Sequence, residues 1–157
     1  DPDNIERIEV AVRTGFLDVC GIPTPTTGLE GKFSLRFCAA IAIAGEDTAR
    51  LETYSDENVY SPALVELFQK VVVSEKDTLE RMEAEVPIHS KDGVVHYEKY
   101  DAGIPAADLS AQWEKLVKKF RGCCEPVIGK EKTEKVIETV SKLEILDDIS
   151  ELMVDCS

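Results

Sequence analysis

"EAEVPIHSKDGVVHYEKY", residues 83–100, decides the fold class. Two runs of alternating apolar and polar residues flank Asp92-Gly93. That dipeptide favours a two-residue hairpin turn, because glycine accepts the left-handed backbone such a turn needs. A two-residue turn predicts that Val86 and Ile88 share a face with Val95 and Tyr97, and that His89 lies opposite His96. "IERIEVAVRT", residues 5–14, sets Ile8, Val10 and Val12 against Glu9, Ala11 and Arg13, and reads as an amphipathic strand. "KVVV", residues 70–73, reads as a short buried strand.

Helical patterns lie between and after these strands. "DLSAQWEKLVKKF", residues 108–120, places Leu109, Trp113, Leu116, Val117 and Phe120 on one stripe, with Asp108 available as a cap. Ser61-Pro62 predicts a helix start, with Leu64, Val65 and Phe68 on its inner side. Residues 130–143 put Val136, Ile137, Val140 and Leu143 together, and Asp148 with Glu151 predicts a capped final helix. Strands and helices mix without strict βαβ alternation. The expected class is therefore α+β, an antiparallel sheet packed with helices in a single compact domain over residues 1–157.

Charge sets bounds on partners. With 31 acidic and 18 basic residues the net charge is -13, a field that repels nucleic acid and anionic membranes. The longest apolar run, 37–44, is far too short to span a bilayer. Five cysteines, an odd number without zinc-type spacing, are expected as free thiols in a reducing cytoplasm. The chain opens on "DPDN" without an initiator methionine, from which a domain of a longer protein is expected.

No complete catalytic set stands out. The predicted His89–His96 pair has no further ligand at a useful spacing, so a solvent-facing pair is the simpler reading and no metal site is assigned. Cys123-Cys124 is expected to end a helix near Gly122 among Lys118, Lys119 and Arg121. It lacks a partner histidine and reads as packing. Glu83/Glu85 and Asp147/Asp148 read as solvated faces and caps.

One stretch is more specific. "PTPTTGLEGKFSLRFCAAIAIAG", residues 23–45, runs from a loop bearing Gly28, Gly31, Lys32 and Ser34 into a helix over 34–44 that is apolar nearly all round, with Gly45 as its stop. The unsatisfied N–H groups of a helix's first turn attract anions, and Lys32 and Arg36 add charge. Ser34 as a simple cap explains the same residues. Taken alone, the residues leave connector and anion site level.

"DPDNIERIEVAV", "GLEGKFSLRFCAAIAIAG", "SPALVELFQKVVV", the Asp92-Gly93 hairpin and "GIPAADLSAQWEKLVKKF" occur in an order that resembles the C-terminal domain of the MmgE/PrpD family, over residues 3–153. The resemblance implies a smaller α+β lid that follows a large helical domain, the latter carrying the catalytic groups and absent from this chain. Family activities are dehydration of 2-methylcitrate, decarboxylation of cis-aconitate and epimerisation of iminodisuccinate. They move or remove a proton beside a carboxylate, in cytosolic or mitochondrial dimers, and no metal or organic cofactor is implied.

By that resemblance the segment matching "KFSLRF" faces the interdomain cleft. Thr27, Gly28, Lys32, Ser34 and Phe37 are then the expected substrate-binding residues, with no catalytic residue in the chain. Some members carry a tyrosine at the position matching Phe37; its hydroxyl is missing here, which counts against a decarboxylase. That leaves a dehydratase, an epimerase or another activity open, a dehydratase-like lyase on a small di- or tricarboxylate being the leading expectation. The expected protein is cytoplasmic, a homodimer when full length, and inactive as this fragment. A non-catalytic binding or assembly module on the same fold is the alternative.

Overall fold

A computed structural model describes residues 1–156. Their class is α+β, as expected, and they divide into two compact units: residues 1–48 with 52–105, and residues 49–51 with the chain from Ala106 onward.

The first unit is built on a four-stranded sheet. Its strands are β1 (Ile5–Arg13), β2 (Val71–Lys76), β3 (Glu83–Ser90) and β4 (Val95–Asp101), in the order β2-β1-β3-β4. β3 pairs antiparallel with both β1 and β4. β2, by contrast, runs parallel to β1, with Ile8 opposite Val71 and Val10 opposite Val73. The sheet is thus mixed, because the chain between β1 and β2 crosses over through helices and not through a hairpin. Those helices are α1 (Leu17–Cys20), α2 (Gly28–Gly31), α3 (Leu35–Ile43), α4 (Asp56–Val59) and α5 (Pro62–Gln69). Pro87 interrupts the β1–β3 ladder, whose pairing passes from Ile8–Ile88 to Ala11–Glu85, since proline has no N–H to donate.

The hairpin register differs from the expected one. Ser90 N–H donates to the Val94 carbonyl (2.9 Å) and Gly93 N–H to the Ser90 carbonyl (3.0 Å), so three residues, Lys91 to Gly93, form the loop. Gly93 takes the left-handed conformation (φ 86°) that closes such a loop. One extra loop residue shifts the pairing by one and turns every β4 side chain to the other face. Ile88 therefore faces His96, Val86 faces Glu98, and His89 faces Val95.

α3 shows why its segment is apolar nearly all round. Leu35, Ala39 and Ile43 pack on the sheet cluster of Ile5, Ile8, Val10, Val12 and Val71. Phe37, Ala40 and Ile41 point the other way, into a second cluster with Val59, Leu64, Leu67 and Phe68. The helix is a middle layer between sheet and α5, and only Ala42 and Ala44 on its edge face solvent. Each large side chain so buried contributes about 1.5–3 kcal/mol. Gly45, at φ 79°, ends the helix as its sequence predicts.

The second unit contains α6 (Leu109–Ile128), α7 (Lys130–Ser141) and α8 (Ser150–Asp155). Asp108 caps α6 by accepting from Ala111 N–H at 3.0 Å. All of the predicted stripe but Leu109, which is exposed, lines an apolar cavity of about 350 Å³, in which Trp113, Leu116, Val117 and Phe120 face Val136 and Val140. Arg121 holds Glu134 of α7 through two bonds of 2.6 and 2.9 Å. Among the described residues no helix is long and apolar enough to cross a membrane.

Candidate functional site

The loop before α3 is more ordered than its glycines and prolines suggest. Thr27 Oγ1 accepts from Glu30 N–H (3.2 Å), so T-x-x-E at residues 27–30 is the N-terminus of α2, a signal present in the sequence. The Glu30 carboxylate reaches back to the Thr26 backbone N–H (2.6 Å) and hydroxyl (2.7 Å). The Thr26 hydroxyl, then its N–H, hold the Glu30 carboxyl below the usual range.

Gly28 and Gly31 are required by close approach. A Cβ on Gly28 would lie 2.0 Å from the Tyr54 carbonyl oxygen, and one on Gly31 would lie 2.9 Å from Phe37 Cδ1. The loop is wedged between the turn at Tyr54 and the ring of Phe37.

Protein oxygens already occupy the helix starts. Gly28 N–H donates to Asp56 Oδ1 at 2.6 Å. Glu75 Oε1 accepts from Gly15 N–H (2.9 Å) and Leu17 N–H (3.1 Å) ahead of α1. Ser34 Oγ accepts from Phe37 N–H at 3.3 Å and Ser55 Oγ from Asn58 N–H at 3.2 Å. These donors are partnered from within the chain, as buried amides must be.

The five expected binding residues therefore fall into two groups. Ser34 and Phe37 are completely buried, and Gly28 is buried with them. Thr27 and Lys32 are exposed. Lys32 Nζ stands 5.8 Å from the Tyr54 ring centroid, within cation–π range. Tyr54 in turn meets the Phe37 ring edge-on, with centroids 6.4 Å apart at 61°. A stack from surface cation to core aromatic thus fixes the corner. On the sheet side of α3 a separate cavity of about 100 Å³ is lined by Leu17, Cys20, Leu35, Arg36 and Val73.

Chemically, this corner can attract and orient an anion. Burial raises both the Cys38 thiol and the Tyr54 phenol, which keeps them protonated at neutral pH.

The other candidates are placed as follows. His89 Nε2 lies 3.1 Å from Glu9 Oε1, which also pairs with Arg7 at 3.2 Å. His96, one register step away, faces Ile88 and not His89. Among the described residues no three His, Cys, Asp or Glu side chains gather where they could hold a metal ion. Cys123 and Cys124 lie inside α6, which continues through Pro126 to Ile128, and not at its end. Burial raises the Cys124 thiol, with Cys123 and Cys156 adding to the effect. Glu83 and Glu85 are not bare solvated acids: Lys99 bridges them at 3.0 and 3.5 Å, and Lys76 holds Glu85 at 2.6 Å.

Residues 1–145 match the family described as the MmgE/PrpD C-terminal domain. A protein of Mus musculus named cis-aconitate decarboxylase is 25% identical over 154 residues, which is 96% of this chain and 31% of that protein. The chain spans less than a third of the length of that curated relative.

Proposed function

Since the chain belongs to the MmgE/PrpD family, we propose that it is the C-terminal part of a lyase acting on a small di- or tricarboxylate, dehydratase-like in its chemistry. The observation that carries this reading is the family match along residues 1–145. The named activity of the mouse relative, on a tricarboxylate, is in keeping with it. In the proposed enzyme the corner of Thr27 and Lys32 lines the cleft towards an N-terminal helical domain. Lys32, its ammonium over the Tyr54 ring, attracts one substrate carboxylate. Gly28, Ser34 and Phe37 act by fixing the backbone beneath them.

Removal of the proton beside the carboxylate belongs, on this reading, to residues outside this chain. Phe37, buried and without a hydroxyl, takes no part in proton transfer, and dehydration of 2-methylcitrate is the reaction proposed. The protein is a homodimer in the cytoplasm on this reading.

The test is direct. Full-length protein carrying this segment is incubated with 2-methylcitrate, and loss of water is followed by the absorbance of the alkene product. Turnover is expected from the full-length protein and none from the 157-residue chain. Turnover by the chain alone would contradict the assignment of proton abstraction to other residues.

A further inference from the structure

β1 ends in Arg13, whose guanidinium is held by one of its nitrogens. Nη1 donates to the Leu79 carbonyl (3.0 Å) and to the Asp77 carbonyl. The edge formed by Nε–H and Nη2, which can grip an oxyanion in two parallel bonds, has no partner among the described residues. Neither bond that Arg13 makes is to a carboxylate, so its charge stays unneutralised.

The loop that receives Nη1 presents a second arginine. Leu79 is buried and anchors this loop. Glu83 N–H donates to the Glu80 carbonyl (3.1 Å) and Glu80 N–H to the Glu83 carboxylate (3.0 Å), which closes a turn around Arg81. Arg81 itself is exposed and has no ion pair or hydrogen bond from its side chain among the described residues. The tie to Asp77 and Leu79 accounts for Arg13 as a fastener of the loop. It accounts neither for the free edge of Arg13 nor for Arg81.

Both arginines line one cavity of about 380 Å³, together with Thr14, Phe16, Val19 and Cys20. No acidic side chain lines it. Glu75 approaches from β2 but sets its Oε1 on the Gly15 and Leu17 N–H groups. In a chain of net charge -13, two unneutralised guanidiniums in one cavity make a local reversal of sign.

We infer that this cavity binds a small phosphomonoester. Two guanidiniums match the charge of the dianion, the free edge of Arg13 takes two of its oxygens, and the unpartnered Thr14 hydroxyl donates to the third. Phe16, packed on the sheet cluster, and Val19 form an apolar wall for the carbon body of the ester. The volume lies in the range of small-molecule sites. A carboxylate brings one charge and two oxygens, and leaves half of the cationic set unused. Lys32 is not among the lining residues, so this site is separate from the corner assigned to the substrate.

Isothermal titration calorimetry of the 157-residue chain with phenyl phosphate at low salt tests this, with benzoate as the comparison ligand. One saturable site is expected, tighter for phenyl phosphate than for benzoate. Arg81→Gln should weaken it about tenfold, and circular dichroism checks that the variant stays folded. Lys91→Gln is the control for general charge. It lies in the hairpin loop, bonded to Asn4 at the opposite end of β1, and should change the affinity by less than about twofold. Absence of saturation up to about 20 mM phenyl phosphate overturns the proposal. Equal binding of benzoate overturns the choice of a dianion. An affinity indifferent to Arg81→Gln, or reduced as much by Lys91→Gln, overturns the assignment to this cavity.

Discussion

Replacing Phe37 by tyrosine adds one hydroxyl to a ring with no exposed surface. That ring is seated against Gly31, whose missing Cβ would stand 2.9 Å from it, and against the edge of Tyr54 at 6.4 Å between centroids. Its other neighbours, Ala40, Ile41, Val59, Leu64, Leu67 and Phe68, are apolar. An unpartnered buried hydroxyl costs about 1–3 kcal/mol. With a urea slope of about 2 kcal/mol per molar, the unfolding midpoint should fall by about 0.5–1.5 M. Phe37→Ala, which removes the ring, gives the upper reference at about 3–5 kcal/mol. The assay is equilibrium unfolding in urea followed by circular dichroism. An unchanged or raised midpoint for Phe37→Tyr would refute the reasoning, since the hydroxyl would then have found solvent or a partner. In that case position 37 would open to the cleft in the way the tyrosine-bearing relatives suggest.

Two further outcomes follow from the same geometry. Gly28→Ala drives a methyl into the Tyr54 carbonyl and should cost about 1–3 kcal/mol, read as a lower midpoint in the same urea titration. The carboxyls of Glu83 and Glu85 are held low, Glu83 by the Glu80 N–H and then Lys99, Glu85 by Lys76 and then Lys99. A depressed folded pKa gives stability that is present above the ordinary carboxylate value and lost as pH falls through the folded one. The melting temperature should therefore decline between neutral and acid pH by less in Lys99→Met than in the wild type. An equal decline in both would remove Lys99 from the account.

Much of the fold can be read from the chain because its signals are local. Ser34, Asp108 and Gly45 mark helix ends by capping chemistry, and Ser61-Pro62 does so through its proline, since Ser61 makes no side-chain cap bond; each stands at a helix boundary in the structure. The hairpin is local too, but its register turns on a single loop residue. Asp92-Gly93 suits two-residue and three-residue loops alike, and what separates them is whether Gly93 alone or both residues take a positive φ. The parallel placement of β2 was not legible, since neither strand's pattern encodes which neighbour it takes across a long crossover. At the corner, glycine, lysine and serine read as an anion loop because the sequence hides where the oxygens come from. Asp56 lies 28 residues from the Gly28 amide it receives. The T-x-x-E of residues 27–30 was the signal that this loop is itself helical at its centre.

The central claim is that this segment binds a substrate carboxylate for a lyase whose proton chemistry lies elsewhere. Steady-state kinetics of the full-length protein with Lys32→Ala test it most directly, using 2-methylcitrate. Loss of one exposed charge-assisted contact should raise KM about tenfold while kcat stays within about twofold. An unchanged KM in a folded variant would take Lys32, and the corner with it, out of the substrate site.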